Sequence, residues 1–269
     1  LTVNSSFKFI IMNTELKKEW DYTYQSAYYW ARPNYAEEAI DELISYVKAS
    51  KEFDYIVADV GAGTGNLTKL FLNRGLTCVA VEPNRAMMKL GIKVTDGQKV
   101  SWVIGTGENT TLQDGSINLF AMGSSFNTAD RALTLQEAHR VLKEKGFFSC
   151  MWNHRNIDSD PLQKDIEEII KSIIPVYERG VRREGQADVI LSSRLFNDLH
   201  YIAIAKEVNQ SSQGYIAAWK SVKNKFWDWD SKTGQLIINK ISERVRKEFP
   251  DDSYIKLIYT TKIWTVRKI

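Results

Sequence analysis

Asp59-Val60-Gly61-Ala62-Gly63-Thr64-Gly65 closes an apolar run at 55–60 and opens the stretch Asn66–Leu72, which reads as a short helix. Glycines at 61, 63 and 65 admit positive φ angles and remove side chains where a ligand must touch the backbone. A dinucleotide-binding turn has the spacing Gly-x-Gly-x-x-Gly, whose third glycine leaves room for a pyrophosphate at the helix start. Here Asn66 occupies that place and the third glycine arrives one residue early. The spacing therefore favours a ligand without a pyrophosphate.

The same alternation extends to both sides. Apolar runs at 55–60, 77–81, 100–104, 117–122 and 147–152 read as strands. Between them, Asn66–Leu72, 85–90 and 132–143 read as helices, the last closed by Gly146. Upstream, Asn34 is placed to cap a helix whose Ala36, Ile40, Leu43, Ile44 and Val47 share one face. Strands spaced by helices predict an α/β fold with a doubly wound, mostly parallel sheet. Past Asn153 the alternation stops. Residues 162–173 are predicted helical, and 175–193 form a polar, basic stretch with Arg179, Arg182 and Arg183, expected to be a mobile loop or cap segment. A strand at 201–208, a helix from Ser211 or Ser212 to about 222, a long helix at 234–249 and a last strand at 253–267 complete the chain. The expected organisation is an extension at 1–14, weakly ordered, and a single domain over 15–269. A helical cap is placed at about 173–250 and an aromatic-rich helix at about 15–30.

Composition bounds the function. The 269 residues are 43% apolar and 26% charged, with net charge +3 from 36 basic and 33 acidic side chains, which describes a soluble globular chain. No basic block suggests a nucleic-acid stripe or a membrane anchor, and no apolar run is long enough to span a bilayer. Cys78 and Cys150 sit in apolar strands and make neither a disulfide framework nor a zinc spacing, so a reducing, cytoplasmic setting is expected and no metal. The excess is aromatic, with 8 Trp, 12 Tyr and 11 Phe.

Two acids follow the glycine loop in register. Glu82, before Pro83, ends the second strand, where a carboxylate can accept hydrogen bonds from both hydroxyls of a ribose. Glu108, in Gly105-Thr106-Gly107-Glu108-Asn109, follows the third strand and is placed to receive an adenine amino group. Together they describe an adenosine pocket along the strand carboxyl ends.

With Asp114-Gly115-Ser116-Ile117-Asn118-Leu119 and Arg140-Val141-Leu142-Lys143, these motifs resemble the class I S-adenosylmethionine-dependent methyltransferases, over roughly residues 22–153. The resemblance is to the small-molecule enzymes of that class and implies a Rossmann-like sheet with an antiparallel last strand. It implies S-adenosyl-L-methionine as cofactor and S-adenosyl-L-homocysteine as product. Gly61, Ala62, Gly63 and Gly65 would then surround the methionine portion, Glu82 and Pro83 the ribose, Gly107 and Glu108 the adenine, and Met87 the adenine face. Asp59 would orient the loop or meet the cofactor amino group. Ser124 joins the cofactor set, and Arg32 meets a carboxylate of the cofactor or of the acceptor.

One departure bears on mechanism. Many relatives carry a His-Trp pair after the fourth strand, whereas this chain has Asn127-Thr128. Asparagine orients an acceptor but takes no proton. His154, at the rim where open α/β sheets bind ligands, is the candidate base. Tyr24, Tyr28 and Trp30 in an N-terminal cluster, with Asn127, Trp152 and Trp219, are the expected walls of an aromatic acceptor pocket. The leading reading is methyl transfer by in-line displacement to a small organic acceptor, in secondary metabolism. A catalytically inert cofactor-binding subunit and a macromolecular methyltransferase share the same residues.

Overall fold

Val57, Leu119, Ala121, Phe147 and Met151 face one side of a central sheet, while Ala58, Phe120, Met122, Phe148 and Cys150 face the other. Period-2 alternation of two apolar sets is what a strand buried on both faces requires. The computed structural model describes residues 20–48, 55–178, 180, 183–251 and 253–269. The expected extension at 1–14, the start of the aromatic helix, Arg179 and Arg182 lie outside these residues.

Seven strands form the sheet: β1 (Ile56–Val60), β2 (Thr77–Val81), β3 (Val100–Val103), β4 (Ile117–Gly123), β5 (Leu142–Arg155), β6 (Phe196–Ser211) and β7 (Tyr254–Lys268). Their order is β3-β2-β1-β4-β5-β7-β6. β1 to β5 are parallel, and β7 runs antiparallel to both of its neighbours. The result is the Rossmann-like, doubly wound sheet with its antiparallel last strand. Chain direction across the sheet reverses between β1 and β4, and a crevice opens there at the strand carboxyl ends.

Helices α2 (Glu37–Lys48) and α3 (Asn66–Leu72) cover one face, and α5 (Arg131–Val141) the other. Asp130 caps α5 by accepting from Leu133 N at 3.0 Å. Asn84 caps α4 (Arg85–Val94), accepting from Ala86 N and Met87 N at 3.0 Å each. A third core gathers α6 (Pro161–Ile173), α8 (Ser212–Lys220) and α9 (Lys232–Glu248) over the first half of β7. Ser211 caps α8 through Gly214 N, as its sequence position suggested.

Several boundaries move. α1 is only Thr23–Ser26, followed by a 3-10 turn at Tyr29–Ala31, so no continuous aromatic helix reaches Trp30. A short helix, α7 (Ala187–Ser192), lies inside the stretch expected to be loop, its Ile190 buried against the sheet. β6 falls within the interval 173–250 but is the edge of the main sheet, so the helical layer over the site is α6, α8 and α9.

Candidate functional site

The glycine loop is held by backbone bonds to the next strand: Gly61 N and Ala62 N donate to Val81 O at 2.9 and 3.1 Å. Gly61 has φ +72°, and a Cβ there would meet Ser125 Cβ at 2.5 Å. Ser125 is itself fixed, its hydroxyl donating to Val60 O at 2.7 Å. Gly63, at φ +61°, faces Met87 Cε and Tyr29 across a gap that a Cβ would fill. Only glycine leaves that cradle open.

Glu82 closes the loop from below. Its Oε2 accepts from Gly63 N at 2.7 Å and its Oε1 from Asn84 N at 2.8 Å. A carboxylate has about four acceptor positions, so each oxygen keeps one for a ligand. Burial raises its pKa to about 7, against the two backbone donors, with Asp59 adding a smaller push in the same direction. Asp59 is 1% exposed and borders the same cleft. Its Oδ2 accepts from Thr68 Oγ1 at 2.6 Å, while its Oδ1 is buried without a protein hydrogen bond. Burial lifts its pKa to about 6.

The cleft has a volume of about 270 Å³ and runs from this loop to the far ends of β5 and β7. Its roof is the segment 20–34, tied down at both ends. Trp20 Nε1 donates to Thr128 O at 3.0 Å. Arg32 donates to Ser221 Oγ and Ser221 O at 2.9 and 2.7 Å and lies 4.1 Å above the Tyr29 ring. Asn153 Nδ2 donates to Pro33 O and Asn34 O, anchoring the segment to β5.

The cleft brings together Arg32, Asp59, Gly61, Ala62, Gly63 and Glu82. Pro83, Met87, Gly107, Ser124, Asn127, Trp152 and His154 also border it. Asn127 Oδ1 accepts from Trp152 Nε1 at 2.9 Å, so this asparagine orients a ring.

Six other sequence-predicted residues lie elsewhere. Gly65, at φ +81°, is the N-cap of α3 and packs against Trp102, Thr95 and Gly91. Glu108 turns away from the cleft, its Oε1 accepting from Asp130 N at 2.9 Å before α5, a position that favours negative charge. Thr106 and Gly107 line the cleft at that level instead. Tyr24 and Tyr28 pack on each other outside, and Trp30 is 72% exposed, because the break after α1 turns Tyr22 and Tyr29 inward in their place. Trp219, with Trp227 and Trp229, is buried in the core of the helical layer.

Arg155, Glu167 and Tyr259 are among the bordering residues not singled out from sequence. Arg155 and Tyr259 are cross-strand partners more than a hundred residues apart in the chain, and Glu167 is one charge among many on a helix, so no local motif marks them.

Residues 58–150 match the methyltransferase domain family. The chain is 35% identical over 130 residues to an uncharacterized methyltransferase of Mycobacterium tuberculosis, Rv3342, a match covering 48% of this chain and 50% of that one. It is 30% identical over 96 residues to a ubiquinone/menaquinone biosynthesis C-methyltransferase of Rubrivivax gelatinosus, covering 35% and 38%. The chain thus spans about half the length, or less, of these relatives. Among solved structures, a candidate type II methyltransferase from Anaeromyxobacter dehalogenans superposes with TM-score 0.61 at 14% identity, covering 88% of this chain and 97% of that one, a likeness of fold.

Proposed function

We propose that this chain is a class I S-adenosylmethionine-dependent methyltransferase, as the match of residues 58–150 to the methyltransferase domain family supports, and that it transfers the methyl group of S-adenosylmethionine to a small organic acceptor in the cytoplasm. The carrying observation is the joint geometry of Gly63 and Glu82: an open glycine face beside a buried carboxylate with acceptor positions to spare. Those residues fit an adenosyl ligand. The cradle at Gly63 takes a surface without a Cβ in the way, and the buried Oδ1 of Asp59 awaits a donor.

S-adenosylmethionine, when bound, supplies the electrophilic methyl on a sulfonium. Glu82 would hold the ribose hydroxyls and Asp59 would accept from the amino group, while the ring of Tyr29 with Met87 lies beside the glycine face. Methyl transfer needs alignment and exclusion of water more than it needs a strong base. The roof over residues 20–34, pinned by Arg32 to Ser221, provides that exclusion. His154 borders the cleft and takes the proton where the acceptor is a hydroxyl or an acidic carbon. A cleft of about 270 Å³ beneath the 20–34 segment suits a small acceptor. Both thiols are buried and free, consistent with the reducing compartment proposed here.

Calorimetry with S-adenosylmethionine tests the first half of the reading. A saturable site is expected, weakened by Glu82→Ala, and no binding to the unsubstituted protein would overturn the proposal. Screening small acceptors for S-adenosylhomocysteine release, with mass spectrometry of the product, tests the second half.

A further inference from the structure

We infer that Arg155, opposite Tyr259 at the far end of the cleft, is the recognition point for a single carboxylate on the acceptor; the inference rests on the methyltransferase reading above. β4 stops pairing at Gly123↔Met151, so the last residues of β5 pair with β7 alone. Arg155 and Tyr259 are directly opposite in that antiparallel ribbon and both border the cleft. Side chains so paired share one face and lie close together.

The guanidinium of Arg155 sits 3.7 Å above the ring of Trp219. Among the described residues no carboxylate forms an ion pair or hydrogen bond with it. Arg74, Arg140 and Arg244 differ, each holding a carboxylate within 2.8 Å. Burial penalises this cation while Tyr259, Tyr215 and Glu167 favour it, and an arriving carboxylate would add the direct ion pair that it lacks. Two hydroxyls lie against it and favour its charge. Tyr259 is 4% exposed and Tyr215 fully buried, and neither hydroxyl has a hydrogen-bond partner by distance and angle. A planar fork with adjacent hydroxyl donors matches the two oxygens of a carboxylate.

The surrounding charges set the number. His154, Glu167 and Arg183 also face this end of the cleft. Arg183 Nη2 donates to the backbone Arg155 O at 3.3 Å. The carboxylate of Glu167 near Arg155 offsets part of the positive field and disfavours a doubly charged phosphate. An organic acid with one ionised carboxyl satisfies the arginine without crowding Glu167.

The test titrates matched acid and amide pairs (benzoate and benzamide, phenylacetate and phenylacetamide, butyrate and butyramide) into the full chain saturated with S-adenosylhomocysteine. Tryptophan fluorescence, to which Trp219 contributes, and calorimetry read the binding. At least one acid should bind about tenfold or more tighter than its amide, as charge-assisted hydrogen bonds require. Arg155→Met should abolish that preference and Arg155→Lys restore part of it. Tyr259→Phe, which keeps the ring, should lower it about threefold with an unchanged far-ultraviolet spectrum. If no acid outbinds its amide, or the preference survives Arg155→Met, the inference is wrong. Absence of S-adenosylhomocysteine binding would instead overturn the cofactor reading, and the acid-over-amide preference would still be measurable without the nucleoside.

Discussion

Titrating S-adenosylhomocysteine into the protein across a pH series tests Glu82, because burial holds its carboxyl near pH 7 before any ligand enters. The ionised carboxylate is the form proposed to accept two ribose hydroxyls. This pKa lies above the ordinary value of 4.5, so the binding-competent form is present at pH 8 and is lost as the pH falls through about 7. Below that point each pH unit removes about tenfold in affinity, or about 1.4 kcal/mol. Between pH 8 and pH 5.5 the loss is about thirtyfold, near 2 kcal/mol. Asp59, raised to about 6, steepens the curve at its lower end. Calorimetry at half-unit intervals resolves such a slope. Glu82→Gln should weaken binding at pH 8 by about tenfold or more, through lost charge-assisted bonds, and should flatten the curve between pH 8 and 6.5. An affinity that stays constant from pH 8 to 6 in the unsubstituted protein refutes the assignment, as does a slope that survives the substitution.

Asp59→Asn should stabilise the ligand-free protein at pH 8 while weakening cofactor binding. The folded pKa of about 6 exceeds the ordinary 3.8, so the penalty for ionising Asp59 inside is absent below about pH 4 and complete above about pH 6. It reaches up to about 3 kcal/mol there, and thermal melts showing a less stable variant at pH 8 would contradict the account. Gly61→Ala should cost far more alone than with Ser125→Gly, because its Cβ would lie 2.5 Å from Ser125 Cβ. The double variant keeps a backbone strain of about 1–2 kcal/mol at φ +72°. Additive denaturation energies would show that the clash is not what fixes this glycine. Arg32→Ala removes both bonds to Ser221. It should raise the rate of limited proteolysis within 20–35 and the KM for cofactor severalfold; an unchanged cleavage rate would mean that other contacts hold the roof.

The glycine-loop end of the cleft was legible because its signals are local. Strand, glycine loop and Glu82 follow one another within two βα units, and backbone φ at Gly61, Gly63 and Gly65 is positive as the motif demands. The distal end was not legible, because Arg155 gains its meaning from Tyr259 and Trp219, brought in by later strands and helices. Glu108 shows a limit of register counting. It follows the third strand as expected, yet the amide of Asp130 captures its carboxylate. The aromatic excess divides in a way composition cannot reveal. A broken turn points Tyr22 and Tyr29 inward and leaves Trp30 in solvent, while Trp219, Trp227 and Trp229 fill the third core. Propensity also hid α7, six residues whose helix is held by the burial of Ile190.

The pairing of the end of β5 with β7 alone has an evolutionary consequence. Beyond the end of β4 it carries Asn153 against Thr261 and Arg155 against Tyr259, rungs two residues apart, with β6 paired along the other side of β7. The nearer rung moors the roof through Asn153, and the farther one carries the guanidinium stacked on Trp219. A lineage could exchange the outer rung, and with it the proposed preference for acids, while leaving the mooring and the glycine-loop end unaltered.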